Sequence, residues 1–166
     1  SNIMAVMTVV NILGLSNKLA SDSINAFVPL EHRLELVGNY EGVTYYDDAI
    51  ATIPNATINA IESLGIVNTL IFGGMDRGIH YEELVDYLKK CNVENLICMP
   101  ETGYKIGSMI TNKNVYKAEN LDIAVDIAKK ITKKGMICLL SPAASSYNQF
   151  KNFEEKGNRF KELVRK

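Results

Sequence analysis

The alternation of apolar and polar positions divides the chain into a helical start, a hairpin and a long repeating region. Asn2 can cap a helix over residues 3–13, and Ser16 can cap a second helix over residues 17–27, which ends before Pro29. Side chains of this kind accept hydrogen bonds from the free N–H groups of a first helical turn. The pattern therefore predicts two short leading helices.

Two short β-favouring runs follow Pro29. They cover residues 34–37 and 43–46, and the turn-forming residues Asn39 and Gly42 lie between them. Two such runs joined by a short turn are typical of a hairpin. We expect an antiparallel pair of strands.

From Tyr46 onward, short apolar runs alternate with amphipathic segments. This alternation is typical of a mostly parallel sheet covered by helices on both faces. Pro54 suits the first turn of a helix, and Ile123, Ile127 and Ile131 are expected on the buried face of another. The expected strands are 67–72, 95–99, 115–117 and 136–140, and the expected helices are 56–64, 81–91, 104–110, 121–132 and 153–164. The fold class is thus α/β: a Rossmann-like, doubly wound, mostly parallel sheet with an antiparallel edge hairpin, preceded by two short helices.

Composition narrows the class of protein. The chain has 166 residues, 47% of them hydrophobic and 22% charged, and its net charge is -1, so we expect one globular domain without a basic nucleic-acid-binding face. Its three cysteines show no metal-ligand spacing with His32 or His80 and suit a reducing cytoplasm. The apolar start, residues 3–15, is too short to span a membrane. Because the chain begins without methionine, we expect a fragment of a longer protein.

Three loops follow expected strands at their carboxyl ends. In a doubly wound sheet such loops meet at one edge, where ligands bind. They are residues 47–52, 73–78 and 141–146.

The loop 141–146 reads Ser-Pro-Ala-Ala-Ser-Ser and is expected to lead into a helix that starts over residues 147–153. Hydroxyl groups and free N–H groups at such a junction can bind an anion. An ordinary serine-capped loop explains the same residues equally well. Both interpretations remain open on this stretch alone.

The other two loops carry charged groups. Asp47 and Asp48 could bind a cation or ribose hydroxyls or transfer protons, although adjacent aspartates more often form turns. The loop 73–78, Gly-Gly-Met-Asp-Arg-Gly, is neither a P-loop nor a dinucleotide fingerprint. Arg77 could hold a carboxylate through paired hydrogen bonds, and a solvated arginine is the alternative.

Four blocks together resemble the C-terminal domain of the Mur ligases, specifically the branch that adds D-glutamate, over nearly the whole chain. The Asn-Pro-Arg signature of the diamino-acid-adding members does not occur. The blocks are His32-Arg33-Leu34-Glu35, residues 42–52, residues 73–78, and Leu140-Ser141-Pro142-Ala143 with Phe150-Lys151-Asn152-Phe153-Glu154-Glu155-Lys156-Gly157.

The resemblance implies an ATP-dependent ligase of peptidoglycan synthesis. It would join D-glutamate to UDP-N-acetylmuramoyl-L-alanine through an acyl phosphate. ATP and Mg²⁺ would be held mainly by a preceding central domain, because this chain has no P-loop. Residues 1–166 would then be the amino-acid-binding domain, with residues 1–29 the end of the central domain or linker helices. Such a domain has no nucleic-acid or membrane partner, and the fragment alone should be inactive.

The resemblance also implies roles for single residues. Thr52 and Arg77 would hold the α-carboxylate of D-glutamate. The side-chain carboxylate would meet Ser146 and the backbones of Tyr147 and Phe153. On the nucleotide side, Arg33 would reach the phosphates, Asp48 the ribose, and His32 would lie nearby. No residue of the fragment is assigned a catalytic step or a metal ion.

Several positions depart from the common family pattern. Ala49-Ile50 stands where many members have Ser-Lys, so a cation near the substrate is missing. Arg77 stands where some members have lysine, and Ala144 where many have cysteine. A non-catalytic Rossmann-like binding module and a ligase domain for another amino acid therefore remain alternatives.

Overall fold

A computed structural model describes residues 2–166 and divides the chain into two compact units, the first ending at Leu30 and the second covering Glu31–Lys166. The first unit contains helix α1, Asn2–Ile12, and helix α2, Asn17–Asn25. Ser16 Oγ accepts a hydrogen bond from the Leu19 N–H at 3.2 Å, as its predicted role as a cap requires. The prediction of two leading helices is confirmed.

The second unit is built on one twisted sheet. Within residues 31–166 its strands are β1 Glu35–Tyr40, β2 Val43–Asp47, β3 Val67–Phe72, β4 Asn95–Cys98, β5 Asn114–Lys117 and β6 Ile137–Leu140. The helices are α3 Pro54–Leu64, α4 Glu82–Lys90, α5 Thr102–Gly107, α6 Leu121–Ile131 and α7 Phe153–Arg165. The strand order is β1-β2-β6-β3-β4-β5, with β1 antiparallel to β2 and the other pairs parallel.

Helices cover the sheet on both faces, as the α/β prediction requires. One core cluster joins α3, α4 and α5 to the sheet, and a second joins α6 and α7 to its other face. Strands β3, β4 and β6 are buried along their whole length, because neither face of the central sheet meets water. Across residues 2–166, no helix combines the length and apolar character needed to cross a membrane.

Helix α6 buries a different face from the one predicted. Its buried residues are Leu121, Ala124, Val125 and Ala128, whereas Ile123 is 38% exposed. Ile127 and Ile131 contact the core only from its margin. The small alanines allow α6 to lie close to the sheet and α7, and this close packing determines the helix rotation more than side-chain hydrophobicity does.

The segment after β6 also differs from its prediction. Residues 147–152 form turns rather than a helix, because the Ser146 carbonyl accepts hydrogen bonds from the N–H groups of Gln149 and Phe150. Helix α7 begins only at Phe153, where Asn152 Oδ1 accepts a hydrogen bond from the Glu155 N–H at 2.9 Å. The free helix amino end therefore lies at Phe153, and not beside Ser146 in sequence.

Candidate functional site

The strand order brings the three predicted loops together. Strands β2, β6 and β3 are direct neighbours in the sheet and run parallel to one another. Their carboxyl ends lead into residues 47–52, 141–146 and 73–78 respectively. The expectation that these loops share one edge is confirmed.

The glycine loop, residues 73–78, contacts the serine loop, residues 141–146, through its backbone and through Arg77. The Met75 N–H donates to the Ser145 carbonyl at 2.9 Å, and Arg77 Nη1 donates to Ser145 Oγ at 3.3 Å. A Cβ atom on Gly74 would collide with the same carbonyl, so only glycine allows this approach. The contact places the exposed guanidinium beside Ser145, the residue that precedes Ser146.

Asp76 determines the shape of the glycine loop. Its Oδ1 accepts from the Gly78 N–H at 2.9 Å, its N–H donates to Glu101 Oε2 at 3.0 Å, and Lys105 lies 3.2 Å from Oδ2. The Gly78 N–H and Lys105 lower the pKa of the Asp76 carboxyl. Because Asp76 bonds Gly78 and Lys105, its carboxylate holds the turn, and the Arg77 side chain extends towards Ser145 instead.

Ser146 offers an unsatisfied polar group. Its side chain is 4% exposed, and its Oγ has no hydrogen-bond partner among residues 2–166. A buried hydroxyl without a partner costs free energy, about 1–3 kcal/mol. Such a group is expected where a ligand completes the bonding.

Tyr147 and Phe153, which are expected to hold the same carboxylate as Ser146, differ in what they can offer a ligand. The Tyr147 side chain is 67% exposed, so only its backbone suits a binding role. Phe153 is the first residue of α7, and within the described chain its N–H has no recorded acceptor. The first N–H groups of a helix attract anions through their partial positive charge. This end of the site can therefore hold a carboxylate.

Thr52 lies in the loop after β2 and is half-buried, just before Pro54 begins α3. No hydrogen bond of its side chain to Arg77 or Ser146 occurs within residues 31–166. The structure thus places Thr52 at the shared edge without a side-chain bond to Arg77 or Ser146, although its loop contacts the serine loop through Asp48 and Ser141.

The residues expected near the nucleotide form a tight turn before β1. His32 and Leu34 have positive φ angles of 60° and 46°, so Arg33 lies outside while His32 is 2% exposed. The His32 N–H donates to Glu35 Oε2 at 2.8 Å, and the Leu34 N–H donates to Asp48 Oδ1 at 3.2 Å. These two carboxylates hold the unusual backbone that presents the exposed Arg33.

Asp48 is buried, and each of its carboxylate oxygens accepts a hydrogen bond. Besides the Leu34 N–H, it accepts from Ser141 Oγ at 2.8 Å, and Ser141 Oγ lies 2.9 Å from Thr57 Oγ1. Burial raises the pKa of Asp48 to about 6, although the bonds from Ser141 and Leu34 oppose this shift. Direct ribose binding by Asp48 stays a prediction. The observed bonds favour a role in holding the Arg33 turn.

His32 and Asp47 form a buried pair, with 2.7 Å between Nδ1 and Oδ2. Burial raises the pKa of Asp47, while His32 and the Ala49 N–H oppose this shift. Gly157 of α7 packs directly on the pair, since a Cβ there would collide with both side chains. Nucleotide contact by His32 also stays a prediction, because its ring is enclosed.

The same pair belongs to a group that could in principle meet a cation. One ligand atom each from His32, Glu35 and Asp47 lies within 4.8 Å of the others. However, Asp47 bonds His32, and Glu35 lies 3.0 Å from the Lys161 ammonium, which together with the His32 N–H outweighs burial and lowers the Glu35 pKa. Because these hydrogen bonds and the nearby ammonium already pair the three side chains, the cluster has a structural role.

Two contributors to the site were not singled out from the sequence. Ser145 bonds Arg77, but one serine in a small-residue loop cannot be told from the next by sequence. Lys156 is 1% exposed and lies three residues after Phe153 and four before Phe160, on the apolar stripe of α7. A charged residue on an otherwise apolar helix face is the sequence signal that could have identified Lys156 as a buried lysine.

The fold and site define a class: a Rossmann-like domain in which three loops at one edge of the sheet present an arginine and free hydrogen-bond donors. Residues 32–144 match the profile of the family described as "Mur ligase, glutamate ligase domain". The chain belongs to this family.

Similar proteins agree with this assignment. The chain is 36% identical over 165 residues to the UDP-N-acetylmuramoylalanine–D-glutamate ligase of Geobacter sp. (strain M21), covering 99% of this chain and 36% of the relative. It is 38% identical over 167 residues to the Oenococcus oeni enzyme of the same name, covering 99% of this chain and 38% of the relative. The chain therefore spans little more than a third of these relatives.

Solved structures share the fold. The MurF ligase from Thermotoga maritima in complex with ADP superposes with a TM-score of 0.69 at 18% identity, covering 99% of this chain and 38% of that one. The UDP-N-acetylmuramate-alanine ligase MurC from the same organism has a TM-score of 0.68 at 17% identity, covering 99% and 37%. Both support the fold prediction.

Proposed function

We propose that this chain is the D-glutamate-binding domain of an ATP-dependent ligase that adds D-glutamate to UDP-N-acetylmuramoyl-L-alanine in the bacterial cytoplasm. The relatives named for this reaction match the whole chain at 34–38% identity. The observation that carries the proposal is the unsatisfied Ser146 hydroxyl on the loop that Arg77 contacts.

A dicarboxylic amino acid fits the charges of this edge. Arg77 provides a guanidinium that can bond one carboxylate in a bidentate manner. Ser146 Oγ and the Phe153 N–H provide uncharged donors for a second carboxylate. We infer that Thr52 and Arg77 hold the α-carboxylate, and that Ser146 with the Tyr147 and Phe153 backbones holds the side-chain carboxylate.

The nucleotide is held mainly by the part of the ligase that this chain does not include. ATP, with Mg²⁺, supplies the activation of the partner carboxylate as an acyl phosphate. Of the residues assigned to the nucleotide, the exposed Arg33 fits a phosphate group best, whereas His32 and Asp48 are buried and bonded. The domain itself binds and orients the attacking amino acid, which lowers the entropic barrier to amide formation.

A substrate panel on the complete ligase tests the proposal. Product formation is measured with D-glutamate, L-glutamate, L-alanine and diaminopimelate at equal concentrations. We expect turnover with D-glutamate and little with the others. Preference for another amino acid would support the alternative that a different substrate replaces D-glutamate, and no turnover at all would support a non-catalytic module.

A second measurement tests the division of labour. The chain of residues 1–166 is incubated with ATP, Mg²⁺, D-glutamate and UDP-N-acetylmuramoyl-L-alanine. Since it contains no P-loop, we expect neither ATP hydrolysis nor amide formation. Activity of the isolated chain would contradict the assigned roles.

A further inference from the structure

Lys156 is a buried cation beneath the candidate site. It lies in the first turns of α7, is 1% exposed, and belongs to the face of the helix that packs on the sheet. A buried ammonium is costly unless nearby groups compensate for its lost hydration. A lysine on this otherwise apolar stripe therefore needs a hydrogen-bond or charge partner inside the protein.

The partner is the glycine loop. Lys156 Nζ donates to the Gly73 carbonyl at 3.0 Å, and no second acceptor is recorded for it in the described part of the chain. Burial lowers the pKa of Lys156 to about 7, and the negative charge of Asp47 opposes this shift. Lys156 thus bonds the loop that follows β3, and the charge of Asp47 at the end of β2 favours its protonated form.

These contacts join elements that carry different parts of the site. Gly73 begins the loop that carries Arg77, and α7 begins at Phe153, one turn before Lys156. The Gly74 N–H and carbonyl are held by Thr102 at 3.1 Å, so the loop is fixed on its other side as well. The bond from Lys156 to Gly73 therefore holds the first turn of α7 against the loop that carries Arg77.

We propose that Lys156 is a positioning residue for D-glutamate, whose ammonium holds the amino end of α7 against the glycine loop so that Phe153 and Arg77 keep their separation. This role rests on the proposed function.

The helix provides a matched control. Lys161 lies on the same face of α7 and is 8% exposed, but its Nζ bonds Glu35 of β1 at 3.0 and 3.1 Å. Removing Lys161 therefore disturbs the docking of α7 without touching the glycine loop.

The experiment compares Lys156→Met, Lys156→Arg and Lys161→Met in the complete ligase. We expect Lys156→Met to raise KM for D-glutamate about tenfold or more, with KM for the UDP substrate within about twofold of wild type. Lys156→Arg keeps the cation and the donor, so it should recover most of the D-glutamate affinity. Lys161→Met should leave KM for D-glutamate within about twofold.

The outcomes separate positioning from general stability. An unchanged KM for D-glutamate in Lys156→Met, or an equal increase in Lys161→Met, would overturn the role. If Lys156→Met does not fold, Lys156→Gln replaces it. Its melting temperature is first shown to equal that of wild type, and the same KM criterion for D-glutamate then applies. A wild-type enzyme that does not use D-glutamate would instead refute the proposed function.

Discussion

Arg77 Nη1 lies 3.3 Å from Ser145 Oγ, so a charged loop after β3 rests on a buried hydroxyl of the loop after β6. The two residues are 68 positions apart in sequence. The residue after Ser145 is Ser146, whose own hydroxyl has no partner in residues 2–166. One half of the proposed carboxylate site is therefore a contact between two loops that follow neighbouring parallel strands.

Replacing Arg77 by alanine should weaken the use of D-glutamate. A charge-assisted hydrogen bond is worth about 1.5–3 kcal/mol, so KM for D-glutamate in the complete ligase should rise about tenfold or more. Arg77→Lys keeps the charge but loses the planar pair of donors, and an intermediate KM is expected. Steady-state kinetics with the UDP substrate saturating make the measurement. Unchanged D-glutamate kinetics in Arg77→Ala would remove Arg77 from the site.

Ser146→Ala should separate binding from stability. Because the hydroxyl is buried without a partner, its removal should leave the melting temperature unchanged or raise it. KM for D-glutamate should nevertheless increase by about tenfold, because a carboxylate loses a donor. Differential scanning fluorimetry and steady-state kinetics on the same preparation measure both effects. A drop in melting temperature with normal kinetics would indicate a structural hydroxyl.

Gly157→Ala should destabilise the domain. The added methyl group would collide with His32 Nδ1 and Asp47 Oδ2, so either α7 moves away or the buried pair breaks. We expect a loss of about 2 kcal/mol or more in the free energy of unfolding, measured by urea denaturation of residues 1–166. The neighbouring exposed residue gives the control: Asn158→Ala should change the free energy by less than about 0.5 kcal/mol. Equal effects of the two changes would argue against the close contact.

Asp48 should make stability depend on pH in a particular direction. Its pKa is raised from 3.8 to about 6 on folding, so the folded state binds more protons between these values. This contribution to stability is fully present below pH 3.8 and is lost as the pH rises through 6. Between pH 4 and pH 7, wild type should therefore lose about 2 kcal/mol relative to Asp48→Asn.

Parallel urea titrations of the two proteins at pH 4, 5, 6 and 7 provide the measurement. Groups distant from Asp48 titrate alike in both proteins and cancel in the difference, whereas the adjacent Asp47, whose charge raises the pKa of Asp48, is coupled to it. Lys156, with a lowered pKa of about 7, contributes mainly above this window. A difference that does not change with pH would show that Asp48 has an ordinary pKa.

Much of the fold is readable from local patterns. The Ser16 cap, the hairpin and the buried runs of β3 and β6 are where the sequence predicts them, because caps, turn residues and strand-length apolar runs act over a few residues. The buried face of α6 and the helical turns expected over residues 147–152 were predicted wrongly, whereas α7 begins at Phe153 as expected. The face of α6 depends on the sheet and on α7, which are distant in sequence, while residues 147–152 form turns through local hydrogen bonds to the Ser146 carbonyl.

For the site, sequence alone determined which residues carry charge, which loops follow strands, and which family the blocks resemble. Only the tertiary structure decided which groups are free and which are already used. Asp48 and His32 look equally available in the sequence, but long-range bonds to Ser141 and Asp47 occupy them. Lys156 lies on the apolar stripe of α7 already in the sequence, but only the packing of α7 shows that its partner is the Gly73 carbonyl. Burial and hydrogen-bond satisfaction arise from contacts between distant segments, and local sequence does not encode them.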